Sequence, residues 1–176
     1  MYNNLLSKTD SWITSSLVLL RIGGRETMKQ YNITFRGYRR DIDRDMLPTF
    51  SGIYLVYCYS EHGTGKEATL NRLIYVGKAF NIRDEICDEK LHKKFEKELQ
   101  DGEELCYSYS SVSPFEKDAV ENALAYMQKP VLNGKLKESF NFDNSEFHLE
   151  GACGLLKMTR FSIQSYKKVE TWMTAL

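Results

Sequence analysis

The chain has 176 residues, and its 24 basic and 24 acidic side chains leave a formal net charge of zero. Hydrophobic residues make up 42% of the chain, which is enough for a packed core and excludes a wholly disordered protein. Only 3 prolines and 11 glycines occur, so a collagen-like or proline-rich protein is also excluded. The balanced charge argues against a highly cationic nucleic-acid coat protein, although it allows a local basic patch.

The cysteines and the first apolar run indicate where the protein resides. The four cysteines form no C-x-x-C pair, so we expect free thiols in a reducing cytoplasm rather than a zinc ribbon or a disulfide framework. The run Trp12–Leu20 has nine residues, whereas a membrane-spanning helix needs about 20, so we expect no membrane partner. Met28 is an alternative start, which would make residues 1–27 a dispensable upstream extension.

The pattern of apolar and turn residues predicts alternating strands and helices along the chain. β-Branched and aromatic runs, flanked by glycine and polar residues, predict strands at 31–35, 51–59, 72–77, 105–112, 146–150 and 155–163. Helices are predicted at 10–22, from the N-cap Asn81 through 91, and at 114–128 after the capping box Ser113–Glu116. Polar residues at 36–49 predict a loop or short helix, and a long loop at 60–71 should join two of the strands.

Four short motifs follow one another in a fixed order on these predicted elements. They are Gly52-Ile-Tyr54, then Tyr75-Val-Gly77, then Glu121 in a helix, and finally Asn133, which ends a Pro-Val-Leu-Asn run 12 residues later. Together they resemble the GIY-YIG nuclease family, as found in excision-repair and homing endonucleases. The resemblance covers about 51–134 and implies an α/β (α+β) fold, in which helices flank a small three-stranded antiparallel sheet. Residues 1–50 and 135–176 would then be N- and C-terminal additions.

The resemblance also implies an activity, namely a DNA endonuclease that hydrolyses phosphodiesters with Mg²⁺ or Mn²⁺. Tyr75 would orient or deprotonate the attacking water, and Tyr54 would share its hydrogen-bond network. Glu121 would hold the divalent ion, which suits a carboxylate and several waters. Asn133 would be a structural hydrogen-bonding residue near the site. Gly52 and Gly77 are most simply explained by close packing of backbone in the sheet.

One position departs from the family pattern. The family has an essential arginine ten residues after the second-motif tyrosine, and here that position is Glu85. Arg83 is the nearest arginine and our catalytic candidate, but two residues rotate a helical side chain by about 200°. Loss of one transition-state donor costs about 2.7–4 kcal/mol. The enzyme could therefore be weak, and the alternative is a catalytically inactive domain that binds nucleic acid or a protein.

Charge and periodicity suggest where a partner would bind. Five basic and nine acidic residues lie between Arg83 and Glu104, which is unfavourable for contact with a polyanion. The expected DNA contacts are instead Lys78, Arg72, Arg39 and Arg40. Periodicity alone places Glu121 opposite an apolar stripe that includes Phe115, on the solvated side of its helix.

Two further alternatives remain open from the sequence. Glu85, Asp88, Glu89 and His92 share a helical face, which is either an altered metal site or a solvated amphipathic surface. The apolar segments Trp12–Leu20 and the tail around Trp172 are candidates for self-association or for binding a protein partner.

Overall fold

The structure is a computed structural model that describes residues 28–62 and 67–165. The strands are β1 (Lys29–Arg40), β2 (Gly52–His62), β3 (Glu67–Ala79), β4 (Glu104–Ser111), β5 (Ser145–Gly151) and β6 (Arg160–Ile163). The α-helices are α1 (Ile82–Ile86), α2 (Glu89–Glu96) and α3 (Lys117–Gln128), and two 3₁₀ helices span Asp41–Met46 and Val131–Lys137. The predicted helix 10–22 and both apolar segments proposed for self-association lie outside the described residues.

All six strands belong to one mixed sheet in the order β3-β2-β4-β1-β5-β6, which curls into a half-barrel. Strands β1 and β5 pair in parallel, and the other neighbours pair antiparallel. The expectation of a small three-stranded antiparallel sheet is therefore wrong. Strands β3, β2 and β4 of the expected three-stranded sheet do lie side by side at one end of the observed sheet. The flanking segments contribute the other three strands, β1, β5 and β6.

The flanking strands join the sheet because their apolar faces need the same core. In β1 every second residue from Tyr31 to Phe35 is buried, and the same alternation recurs in β5 and β6. Tyr31 stacks on Phe147, and Phe147 stacks on Phe161, with ring centroids 4.8 and 4.9 Å apart. These residues form one hydrophobic cluster with β2 and α3. The predicted division at residues 50 and 134 stays a prediction.

The other face of β2, β3 and β4 is covered by α1, α2 and the first 3₁₀ helix. Ile82, Ile86 and Phe95 are fully buried there, in a second hydrophobic cluster. The carboxylate of Asp41 accepts a hydrogen bond from the Tyr107 hydroxyl at 2.5 Å, and its Oδ1 lies 2.9 Å from His92 Nε2. The 3₁₀ helix is thereby fixed to both α2 and the sheet.

The helix boundaries follow their caps. Asn81 caps α1 as predicted, since its side chain accepts a hydrogen bond from the Asp84 amide. The single helix predicted through residue 91 is in fact two, because Asp88 starts α2 by accepting a hydrogen bond from the Leu91 amide at 2.8 Å. Helix α3 begins at Lys117 without a side-chain cap, so the predicted capping box is not formed.

Within the described ranges, none of the helices combines the length and the apolar character that a membrane span requires.

Candidate functional site

The two motif tyrosines lie on one face of the β2–β3 hairpin. Tyr54 pairs with Gly77, and Val56 pairs with Tyr75, so the tyrosines are two positions apart in the ladder and point the same way. Their ring centroids are 6.0 Å apart. Phe95 of α2 packs against Tyr75 at 5.3 Å, which closes this face of the pair with an apolar ring.

Both motif glycines are required by close contacts. A Cβ on Gly77 would lie 2.3 Å from Cζ of Tyr54, so the phenol ring packs directly on the bare backbone of β3. A Cβ on Gly52 would lie 2.0 Å from the Ser110 carbonyl oxygen on the neighbouring strand. The glycines therefore allow Tyr54 to lie flat against the sheet and allow β2 to approach β4.

The hydroxyls of the tyrosine pair are strongly disfavoured as bases. Burial raises the pKa of Tyr54 well above 10, and Tyr75, Glu85 and Glu121 raise it further. Burial likewise raises the pKa of Tyr75 to about 12, with additional effects from Glu121 and Glu85 that Lys78 partly opposes. The Tyr54 hydroxyl is buried and makes no hydrogen bond of good geometry among the described residues. It nevertheless lies close enough to the Tyr75 hydroxyl for a weak hydrogen bond that lowers the pKa of Tyr75.

Glu121 is buried, contrary to its predicted place on a solvated face. Only 5% of the residue is exposed, whereas Phe115, assigned to the apolar stripe, is 96% exposed because it precedes α3. The Lys78 ammonium lies 2.9 Å from Glu121 Oε2 and 2.9 Å from Asp118 Oδ1. The lysine thus bridges two carboxylates on successive turns of α3.

The titration of this bridge follows from its burial and its ion pairs. Burial raises the pKa of Glu121, and the ammonium of Lys78 works against that rise. Burial also opposes charge on Lys78, but the hydrogen bonds to Asp118 and Glu121 outweigh it and raise the pKa of the lysine. The bridge therefore holds the ammonium in its charged form.

Asn133 is bound to the edge of the sheet beside Tyr75. Its Oδ1 accepts a hydrogen bond from the Val76 amide at 2.9 Å, and its Nδ2 donates to the Val76 carbonyl at 2.7 Å. The carboxamide thus occupies the place of a neighbouring strand for one residue of β3. This fixes the second 3₁₀ helix against the strand that carries Tyr75.

Arg83, the arginine nearest to the position of the family arginine, makes its side-chain hydrogen bond away from the two tyrosines. Arg83 Nε donates a 2.8 Å hydrogen bond to the Leu47 carbonyl, in the segment before β2. Glu85 is exposed, and its charge raises the pKa of both tyrosines. The charged group that acts on the phenols from α1 is therefore a carboxylate.

The cations predicted to contact DNA differ in the internal ion pairs and hydrogen bonds that they make. Arg72 is bound to Glu103 Oε2 at 2.5 Å and to the Glu98 carbonyl at 2.7 Å. Arg40 pairs with Glu61 across the sheet. Arg39 is half-buried on β1 and makes no ion pair within the described ranges.

The residues as arranged do not fit a divalent ion. An ion on Glu121 would have to displace Lys78 from both carboxylates. The described residues contain no group of three or more histidine, cysteine, aspartate or glutamate side chains that could hold a metal. The predicted alternative around His92 is not such a group either, because the Asp88 carboxylate caps α2 and His92 Nε2 faces Asp41 instead. The arrangement of Lys78, Asp118 and Glu121 therefore does not support a catalytic step through Mg²⁺ or Mn²⁺.

Sequence reasoning missed Asp118. It lies three residues before Glu121 on α3, a spacing that puts two side chains on one helical face. The sequence contains this spacing, but the family motif includes only Glu121.

Comparison with known proteins does not identify the chain. No family model matches it, and neither a curated protein nor a solved structure does.

Proposed function

We propose that the chain is a divergent relative of the GIY-YIG nucleases that binds DNA without hydrolysing it. The observation that argues against hydrolysis is the bridge between Lys78, Asp118 and Glu121, while DNA binding is what the motif resemblance implies. The carboxylate that would hold the metal in a nuclease of this family is buried and neutralised by an internal ammonium. The four free thiols, Cys58, Cys87, Cys106 and Cys153, support a reducing compartment such as the cytoplasm.

The electrostatics around the tyrosines support the same proposal. A phenol acts as a base at neutral pH only if positive charge lowers its pKa from about 10. Here burial and two carboxylates, Glu121 and Glu85, raise both values instead. The hydrogen bonds of Asn133 and the packing of Gly77 on Tyr54 are consistent with a motif kept for the stability of the hairpin.

DNA binding is tested with a short fluorescent duplex titrated with the protein at low and at moderate salt. We expect saturable binding whose affinity falls steeply as salt rises, because cations that neutralise phosphates release bound counterions. The same samples, run on a denaturing gel after incubation with Mg²⁺ or Mn²⁺, should contain only full-length strands. Absence of binding at low salt would refute the proposal and favour a protein partner.

A metal-dependent endonuclease is the second candidate, and the 6.0 Å approach of Tyr54 and Tyr75 favours it. If it is correct, wild-type protein cuts the duplex weakly with Mn²⁺, and Glu121→Ala abolishes cutting without unfolding the protein. Glu85→Arg should then increase cutting by up to about 100- to 1000-fold, the effect of one restored transition-state donor. If the chain only binds DNA, all three proteins leave the duplex intact.

A further inference from the structure

Lysines line the exposed side of α2, although the segment from Arg83 to Glu104 has a negative net charge. Lys90, Lys93 and Lys94 of α2 and Lys97, the residue directly after the helix, follow the spacing i, i+3, i+4 and i+7, and all four are exposed. At about 100° per residue, these positions fall within an arc of about 100° around the helix axis. We call these four residues the α2 lysine row.

Four of the nine acidic residues between Arg83 and Glu104 contact groups other than these lysines. Glu103 binds Arg72, Glu104 accepts a hydrogen bond from the Tyr59 hydroxyl at 2.6 Å, and Glu96 contacts His92 Nδ1 at 3.3 Å. Asp88 caps α2 through its side chain. On α2 itself the exposed carboxylates are Glu89 and Glu96, so the lysines outnumber the acidic side chains on its solvent-facing surface.

The row itself is almost free of internal ion pairs. Lys93 approaches Glu89 at 3.8 Å, at the edge of ion-pair distance, and both side chains are highly exposed. Lys90, Lys94 and Lys97 have no ion-pair partner within 28–62 or 67–165. Four neighbouring ammonium groups, of which only Lys93 lies near a carboxylate in the described part of the chain, form a surface complementary to a polyanion.

The dimensions of the row suit the DNA backbone. From Lys90 to Lys97 the helix rises about 10.5 Å. Phosphates advance about 3.4 Å along the axis for each strand of B-DNA, so the row spans about three of them. An anionic membrane fits less well, because the apolar residues of α2 face inward, where Phe95 packs on Tyr75 and Leu91 packs in the same cluster.

We infer that the α2 lysine row is the surface through which this protein contacts the phosphate backbone of duplex DNA. The inference rests on the proposed DNA-binding function and specifies its surface. It differs from the sequence prediction, because three of the four predicted contacts, Lys78, Arg72 and Arg40, are held in internal ion pairs. The fourth, Arg39, is unpaired within the described ranges but half-buried on β1. The row lies on the outer side of the helix whose inner side packs against Tyr75.

The test compares two variants that each lose three exposed positive charges. One carries Lys90→Gln, Lys94→Gln and Lys97→Gln, and the control carries Lys135→Gln, Lys157→Gln and Arg160→Gln. The affinity of each protein for the fluorescent duplex is measured over a range of NaCl concentrations. The slope of log K against log salt should fall in magnitude by about 2.7 in the first variant, at about 0.9 per lost phosphate contact, and should be unchanged in the control.

The outcomes separate this inference from the proposed function. If wild-type protein binds DNA and the first variant keeps the wild-type slope, the assignment to the α2 lysine row is wrong while DNA binding stands. Equal losses in both variants would also overturn it, because they would indicate a diffuse charge effect. If wild-type protein does not bind DNA but binds polyglutamate or phosphatidylserine vesicles, both the inference and the proposed function fail. Circular dichroism verifies that each variant is folded.

Discussion

Replacing Tyr54 with phenylalanine should stabilise the protein, although the residue belongs to a motif. Its ring is fully buried and its hydroxyl makes no hydrogen bond of good geometry within the described ranges. A buried polar group without a partner costs about 1–3 kcal/mol. Since phenylalanine keeps the ring packing, we expect Tyr54→Phe to raise the free energy of unfolding by about 1 kcal/mol.

Tyr107→Phe is the matched control. Tyr107 is also fully buried, belongs to the same hydrophobic cluster on the adjacent strand β4, and donates a hydrogen bond to Asp41 at 2.5 Å. A hydrogen bond to a charged group contributes about 1.5–3 kcal/mol, so this variant should lose stability.

The assay is urea unfolding monitored by circular dichroism, with the slope of free energy against urea required to stay constant. With a slope of about 2 kcal/mol/M, the Tyr54→Phe midpoint should rise by about 0.5 M, and that of Tyr107→Phe should fall by about 1 M. A loss in Tyr54→Phe as large as that in Tyr107→Phe would refute the reasoning, because the Tyr54 hydroxyl would then have a partner in the folded protein.

Three other substitutions test the packing and charge of the same region. Gly77→Ala should lower the free energy of unfolding by about 1–3 kcal/mol, because its methyl would overlap the Tyr54 ring. The loss should shrink in a Tyr54→Ala background, and additive losses in this double-mutant cycle would contradict the contact. Asn133→Leu should lower the free energy of unfolding by about 2 kcal/mol or more, because the amide and carbonyl of Val76 lose their hydrogen-bond partner. An unchanged urea midpoint would contradict this role of Asn133. Burial opposes ionisation of Glu103, but its hydrogen bonds, first that from Arg72, lower its pKa. Its stabilising effect is therefore complete above its unfolded pKa of about 4.3 and is lost as the pH falls through the lower folded value. Below about pH 4.3 the urea midpoint should fall more steeply in wild type than in Glu103→Gln, and identical pH profiles would be evidence against the shift.

The strands were more predictable than the sheet they form. The β-branched and aromatic runs at 51–59, 72–77 and 105–112 mark β2, β3 and β4, because such side chains suit a pleated, buried surface. The family resemblance gave no reason to extend the sheet. Pairing of β1 with β5 depends on contacts between residues more than 100 positions apart, such as Tyr31 and Phe147, which local patterns do not contain.

The ends of the strands were underestimated for a related reason. Residues 36–40 and 67–71 are largely polar, so their sequence predicts a loop or short helix for the first and a loop for the second. In the structure Arg36 pairs with Tyr109 and Thr69 pairs with Ser60. Backbone pairing with a neighbouring strand holds these residues extended whatever their side chains are.

The site shows the same division between local and long-range information. The shared face of Tyr54 and Tyr75 follows from the period of two along strands and was predictable. The burial of Glu121 was not, because helical periodicity cannot show that Lys78 of β3 lies against that side of α3. The row of exposed lysines was not predicted for another reason. The net charge of residues 83–104 sums all side chains and contains no information on which face of a helix each one occupies.

The central claim is that this fold binds DNA and leaves it intact, and supercoiled plasmid tests it most directly because a single nick converts it to a relaxed circle. Wild-type protein is incubated with the plasmid and Mn²⁺ at a concentration that retards all of the DNA on a native gel, and the protein is then removed. We predict that the recovered plasmid is still supercoiled. Relaxed circles that form with wild-type protein but not with Glu121→Ala would contradict the claim and identify the chain as an active nuclease.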